Sequence, residues 1–474
     1  MPVNPLIFRA YDIRGIATAT ATYPTADLTE ETVYLIGKGA ATYLVQKYGC
    51  KHMAVGMDVR LSGPKLKAAY IKGVTETGIK VTDVGVSTSP MIYWSVCAQG
   101  QNFDCATNIT ASHNPKEYNG LKIVTKNAHS ICADELQEVL KIIQNNTFIS
   151  APTPGTIDAA DIWPNYLKDL LSKVHIKRKL RVVVDAGNGA ASKFAPEFLR
   201  QLGCEVVELF CEPDGNFPNH EANPEELANM QDLIAKVVEE HADLGIGFDG
   251  DGDRVGVVDE KGKMYSSDFM LFLLTRDLLT RIPNAQVVFD VKVSQAIIDK
   301  MAEHGAIPVM SKTGHSFIEN KMKELQAPLA GEVSGHLFFA ENYYGFDDAL
   351  LAAGKIVQVI SAETHPLSQM FNELPEVHTT PEFKAPCPDD KKFEIVARLV
   401  EHFTGLYDCI TIDGVRINFE DKAWGAIRAS NTSPNLTLRF EAKNPERLAE
   451  IQEIMASELQ KYPEVSLDWY KNQY

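Results

Sequence analysis

One pattern, used three times, restricts what this chain of 474 residues can fold into. An apolar run ends in an acid, a helical stretch follows, a glycine stops it, and a second apolar run begins. The pattern occurs over 53–57 with Asp58, Gly78 and 79–84, and again over 180–184 with Asp185, Gly203 and 204–210. Its third copy is 286–289 with Asp290, Gly305 and 306–310. Short apolar runs bounded by turn residues read as buried strands, and parallel strands need a crossover that is usually a helix. A glycine just past the last helical residue takes the left-handed conformation that closes a helix. The pattern predicts three α/β domains of related build. Length agrees, since chains beyond about 250–300 residues divide into several cores.

Composition shifts suggest the boundaries. Residues 150–155, with Pro152, Pro154 and Gly155, read as a linker, and Asp259-Glu260-Lys261-Gly262 reads as a turn that closes a domain. A third break is expected near Leu374-Pro375. The expected domains are therefore 1–154, 155–261, 262–374 and 375–474. Within the first, the periodicity predicts a helix over 29–47. The last changes character: a helix over 391–403, strands over 409–419, 424–429 and 436–441, then a helix to about Lys461 that opens on Asn444-Pro445. It reads as a smaller α+β domain.

Chemistry concentrates in a few stretches. In Asp249-Gly250-Asp251-Gly252-Asp253-Arg254 three carboxylates alternate with glycines, so their oxygens can converge while bare backbone folds tightly around them. The register resembles a calcium-binding EF-hand loop, with Glu260 twelfth from Asp249, but Arg254 stands sixth where glycine is required, and the flanks 244–248 and 255–258 read as strands. A hard oxygen site of this kind suits Mg2+, which keeps few protein ligands and bridges to phosphate. A partner for it lies in Thr110-Ala111-Ser112-His113-Asn114-Pro115, after a strand predicted over 103–109. A phosphate on Ser112 would complete the coordination, and His113 is the nearest base. Gly331-Glu332-Val333-Ser334-Gly335-His336 offers a carboxylate and a hydroxyl for sugar hydroxyls, and Lys312-Thr313-Gly314-His315 follows a strand. In Arg428-Ala429-Ser430-Asn431-Thr432 one arginine fork and several donors make a phosphate cradle.

A net charge of −17 and a pI near 5.2 exclude nucleic acid or an anionic membrane as the main partner, because both need a basic face. The eight cysteines form no CxxC pair and no zinc spacing, so they read as reduced thiols. No signal-peptide start and no apolar run of about 18 residues is present, and a soluble cytoplasmic protein is expected.

The ordered set Tyr11-Asp12-Ile13-Arg14-Gly15, Thr110 to Pro115, Asp249 to Arg254, Gly331 to His336 and Arg428 to Thr432 resembles the α-D-phosphohexomutase superfamily, and within it the bacterial phosphomannomutase/phosphoglucomutase branch. The resemblance spans essentially the whole chain. It implies three related βαβ-type domains plus a smaller C-terminal α+β domain around a central cleft, each domain giving one loop. It implies Ser112 as a phosphoserine that also ligates the metal, Asp249, Asp251 and Asp253 as Mg2+ ligands, Glu332, Ser334 and His336 as sugar readers, and Arg428, Ser430, Asn431 and Thr432 as holders of the substrate's phosphate. By the same resemblance Tyr11, Arg14, Lys122, Lys292 and His315 line the cleft. With Ser112, the catalytic set is His113, Lys122 and Arg254, which offset the charge of about −3 that three aspartates and a phosphoserine of about −2 leave after Mg2+, with Lys122 or a histidine as general base towards the sugar hydroxyl. The implied reaction interconverts hexose 1-phosphate and hexose 6-phosphate, through a hexose 1,6-bisphosphate that also serves as activator. Val333, where glucosamine-specific members tend to carry Gln, favours mannose and glucose phosphates over a phosphoglucosamine mutase. A non-catalytic, metal-dependent sugar-phosphate binding protein is the alternative from another class. Small-molecule sugar phosphates are the expected partners of a monomer, with a dimer as the alternative.

Overall fold

The computed structural model describes residues 3–431 and 433–471. The chain forms two compact units: one runs to Met270 and includes Ser334–Met370, the other comprises Leu271–Val333 and the residues from Phe371 onward.

All three repeats are parallel βαβ elements. In the first unit His52–Met57 pairs with Lys80–Val86 around the helix Gly63–Thr75, and Arg181–Asp185 pairs with Glu205–Leu209 around the short helix Ala195–Gln201. In the second unit Gln286–Asp290 pairs with Ile307–Ser311 around Gln295–Glu303. The stopping glycines Gly78, Gly203 and Gly305 have φ of 93°, 103° and 94°, values that a side chain resists.

The first sheet runs in the order Ile13–Ile16, Tyr118–Thr125, Cys105–Ile109, His52–Met57, Lys80–Val86, Ile157–Ala159. Thr29 caps the helix Glu30–Tyr48 by accepting from Thr32 N–H. That helix buries Val33, Ile36, Ala40 and Leu44 in a core shared with Val55, Val81 and Ile123. Residues 150–155, expected as a linker, are held against the end of the helix Gly63–Thr75, where Ala151 N–H donates to the Glu76 carbonyl and Gly155 N–H to that of Thr75. Glycine and proline content is the same for a loose tether and for backbone pressed against a neighbour, and here it reports the second.

The second sheet is ordered Met264–Tyr265, Val255–Asp259, Leu244–Phe248, Arg181–Asp185, Glu205–Leu209. The helix Ala349–Ala362, apolar on almost every side, also belongs to the first unit, where Gly354 lies against Phe198 and Val174. In both sheets the functional loops leave the carboxyl ends of parallel strands, where open α/β sheets place their ligands.

The second unit joins its parallel strands to an antiparallel sheet ordered His378–Thr379, Asn435–Ala442, Trp424–Ala429, Val415–Asn418, Asp408–Ile410. The single strand expected over 409–419 is in fact two strands, paired antiparallel with Cys409 opposite Ile417. The chain reverses at Asp413-Gly414, a strong hairpin signal, with Gly414 at φ 70°. The helices Lys392–Thr404 and Pro445–Leu459 cover the sheet, the latter capped by Asn444. Among the described residues no helix is long and apolar enough to cross a membrane.

Candidate active site

Ser112 follows the strand Cys105–Ile109 and is bent into the left-handed region, with φ 50°. The Thr110 hydroxyl accepts from Ser112 N–H at 2.9 Å, which turns the serine toward the second sheet. Its Oγ donates to Asp249 Oδ2 at 2.7 Å and lies 3.1 Å from His113 Nδ1. Ser112 as a whole is 3% exposed, nearly closed off from bulk water.

The acidic loop joins Leu244–Phe248 to Val255–Asp259, which pair antiparallel with Phe248 opposite Val255. It folds around its own first side chain, since Asp249 Oδ1 accepts from the backbone N–H of Asp253 at 3.1 Å and of Arg254 at 3.2 Å. One oxygen from each of Asp249, Asp251 and Asp253 lies within 4.8 Å of the others, and all three residues are buried. Lys122 reaches in from the strand Tyr118–Thr125 and donates to Asp251 Oδ2 at 2.8 Å and Asp253 Oδ2 at 2.5 Å. Ser89 Oγ donates to Asp251 Oδ2 at 2.5 Å.

The charges of this loop act strongly on one another. Burial disfavours the charge on Lys122, but Asp251 and Asp253 outweigh it and hold its pKa well above the usual lysine range. Burial, then the Asp253 and Asp251 charges, push Asp249 well above the usual carboxylate range. Burial also acts on Asp253, but Lys122, His336 and Arg254 pull it well below. Asp251 Oδ1 is buried with no hydrogen-bond partner, and Asp253 Oδ1 meets only His336 Nε2, 3.5 Å away. Buried acceptors of this kind carry a desolvation cost unless something meets them. An all-oxygen trio with an orphaned oxygen on Asp251 fits a divalent cation of the Mg2+ type.

The acidic loop and the serine loop touch through one missing side chain. A Cβ on Gly250 would stand 2.3 Å from the Ser112 carbonyl oxygen, and that atom is backbone and cannot swing aside. Gly250→Ala is therefore expected to force the two loops apart. A shift of about 1 Å at a reacting pair costs on the order of 10²-fold in rate. Turnover should fall by that factor with circular dichroism unchanged, and wild-type turnover would contradict the close packing.

His336 and Arg254 extend the same site. Their backbones form an antiparallel bridge, and Arg254 Nε donates to His336 Nε2 at 3.3 Å. The imidazole stands 3.5 Å from Asp253 and 3.7 Å from Asp347, and its Nδ1 is 3.0 Å from Ser334 Oγ. Arg254 Nη1 lies 3.4 Å from Glu225 Oε2. Arg14, on the first strand, donates to Asp12 at 2.5 Å and to Asn114 Oδ1 at 2.8 Å, while half-buried Tyr11 lies just before that strand. The first unit thus brings together Ser112, His113, Lys122, the three aspartates, Arg254, Ser334 and His336, with Arg14 tied to the serine loop through Asn114.

The second unit holds the remaining residues. Lys292 Nζ donates to Glu382 at 2.5 Å and lies 3.5 Å from Asp290, whose carboxyl burial pushes up to about 6. Glu332 accepts from Gly314 N–H at 2.6 Å, and buried His315 opens the helix His315–Leu325. Arg428 Nε donates to Asp413 Oδ2 at 2.6 Å, and the same carboxylate oxygen accepts from Thr313 N–H at 3.0 Å. One edge of the arginine fork is thus occupied by Asp413. Ser430 Oγ accepts from Ser433 N–H at 3.2 Å, Asn431 is half-buried beside it, and Thr432 lies outside the described residues.

Sequence reasoning missed Arg60, Ser89, Asp347 and Asp413, and read Asp58 only as the acid that ends an apolar run. Asp58 and the Asp413-Gly414 turn had a local signal; Arg60, Ser89 and Asp347 matter through contacts distant in sequence.

Comparison with known proteins agrees with this layout. Residues 5–150, 164–262 and 266–378 match alpha/beta/alpha domains I, II and III of the phosphoglucomutase/phosphomannomutase family, and 382–458 match its C-terminal domain. A phosphomannomutase/phosphoglucomutase of Pseudomonas aeruginosa is 41% identical over 455 residues, covering 96% of this chain and 95% of its own. A phosphoglucomutase of Neisseria gonorrhoeae is 40% identical over 449 residues, covering 94% and 95%. The crystal structure of a phosphoglucomutase/phosphomannomutase family protein from Burkholderia thailandensis superposes with a TM-score of 0.88 at 36% identity, covering 97% of this chain and 98% of the other.

Proposed function

Because this chain belongs to the phosphoglucomutase/phosphomannomutase family, we propose that it is an isomerase that interconverts the 1- and 6-phosphates of glucose and mannose by way of a phosphoserine at Ser112. The observation that carries the proposal is the Ser112 hydroxyl, nearly buried and 2.7 Å from an aspartate of the trio. A phosphate on Ser112 moves to the free hydroxyl of the sugar: the serine P–O bond breaks, a P–O bond to the sugar forms, and the sugar's hydroxyl proton leaves. The hexose 1,6-bisphosphate then returns its other phosphate to Ser112, which makes the same bisphosphate a natural activator.

Lys122 is held as an ammonium by two carboxylates, so it offsets developing negative charge and donates to phosphoryl oxygens. That leaves the imidazoles of His113 and His336 to take and return the sugar's proton. Arg254, turned toward His336, adds a fixed positive charge. Asp249, Asp251 and Asp253 would hold Mg2+, which when bound neutralises charge on the transferring phosphoryl group. Glu332 accepts from sugar hydroxyls, with Ser334 as a second reader. Arg428, Ser430 and Asn431 take the substrate's own phosphate, with Lys292 and His315 as further positive or donor groups. Tyr11 and Arg14 complete the recognition set. The eight cysteines, all free thiols in the structure, suit the reducing cytoplasm.

The test is to incubate the protein with Mg2+ and a trace of glucose 1,6-bisphosphate together with glucose 1-phosphate, mannose 1-phosphate or glucosamine 1-phosphate, and to follow phosphate position by phosphorus NMR. Conversion of the glucose and mannose esters to 6-phosphates is expected. Conversion of the glucosamine ester alone would shift the assignment to a phosphoglucosamine mutase. Release of inorganic phosphate without isomerisation would make the protein a phosphatase.

A further inference from the structure

Arg60 does not react with anything, yet every one of its guanidinium N–H groups is used. An arginine fork has five donors. Nε donates to Asp58 Oδ2 at 3.0 Å, Nη1 to the carbonyls of Pro115 at 2.6 Å and Tyr118 at 3.1 Å, and Nη2 to those of Ser112 at 2.8 Å and Asn114 at 2.6 Å. Four carbonyls, three of the loop that carries Ser112 and one of the strand residue that follows it, thus converge on one cation that is 1% exposed.

The other side of the serine is held through the same pair. Asp58 Oδ2 accepts from the Thr110 hydroxyl at 2.7 Å, and that hydroxyl accepts from Ser112 N–H. The serine's carbonyl is gripped by Arg60 and its N–H by Thr110, with Asp58 joining the two. This closed ring holds Ser112 at φ 50°, a backbone shape that a residue with a Cβ leaves when free to do so. The arginine is itself clamped. Its guanidinium lies 5.3 Å from the Phe217 ring centre, and a Cβ on Gly215 would stand 2.3 Å from the Val59 carbonyl oxygen.

We propose that Arg60 is a positioning residue for phosphoryl transfer, fixing the left-handed turn that aims Ser112 Oγ at the acidic loop. The inference rests on the reading that Ser112 carries the phosphate. Transfer of this kind is mostly positioning plus electrostatics, and it must work in both directions on one serine. A lysine cannot replace the fork, because a point charge on a flexible stem cannot reach four carbonyls in fixed directions.

The experiment uses Arg60→Lys, Thr110→Val, Thr110→Ser and Ser112→Ala in the full chain. For Arg60→Lys and Thr110→Val, kcat should fall on the order of 10²-fold with KM for glucose 1-phosphate little changed. Thr110→Ser keeps the hydroxyl and loses the shape, whereas Thr110→Val does the reverse. Recovery of most of the turnover in the serine variant therefore supports the hydrogen-bonded ring, and the opposite order would show a packing role and overturn the proposal. If Arg60→Lys fails to fold, the Thr110 pair decides. Wild-type kcat in both Arg60→Lys and Thr110→Val, alongside an inactive Ser112→Ala, refutes the inference while leaving the phosphoserine reading intact. An active Ser112→Ala removes both.

Discussion

Ser112→Ala should lose roughly 10⁴-fold or more in isomerase turnover, the scale on which removal of a covalent nucleophile acts, while still binding glucose 1-phosphate. Neither Ser89 nor Thr110 can take over. Ser89 is committed to Asp251 and Thr110 to Asp58. Binding should survive because the phosphate and sugar contacts assigned to the second unit do not involve Ser112. Two readouts check it: steady-state turnover, and intact mass after charging with glucose 1,6-bisphosphate, where wild type should carry one phosphate more than the variant. Equal masses, or retained turnover in the variant, would defeat the assignment.

The second large effect concerns the acidic loop. Asp251→Asn removes one of three converging carboxylates, and charge stabilisation by a bound cation is worth several kcal/mol, so turnover should drop by roughly 10²-fold or more. A readout independent of activity is thermal unfolding. A cation that binds only the folded state adds about 2.7 kcal/mol at a concentration 100 times its Kd. Mg2+ should therefore raise the wild-type unfolding temperature, EDTA should reverse the rise, and Asp251→Asn should show little of it. An identical Mg2+ response in both proteins would take the cation away from this loop.

The three βαβ elements and the aspartate trio could be read from the chain because both are local. Strand, helix and glycine stop recur within about 30 residues, and the glycines of the trio dictate convergence without help from elsewhere. The serine loop was visible only as a polar turn with one reactive hydroxyl. Its conformation depends on Arg60, 52 positions away. Ser89 meets Asp251 across 162 positions, a pairing that no window of sequence can register. The hairpin at Asp413-Gly414 was a different failure. Its signal was present, but the apolar content of 409–419 outweighed it in a reading by periodicity. For residues 150–155 composition was ambiguous in principle, because the Cβ that Gly155 lacks would have met the Ile79 carbonyl at 1.9 Å.

The left-handed serine sets stability and inheritance against each other. A residue with a Cβ pays roughly 1–2 kcal/mol to sit in that region, and glycine pays almost nothing. At position 112 the residue that folding would prefer is thus one that cannot carry a phosphate. Random drift toward a sturdier loop, or a screen for heat resistance alone, would be drawn toward glycine there and would return a hardier protein with no trade. The strain works as a marker that only selection for turnover maintains.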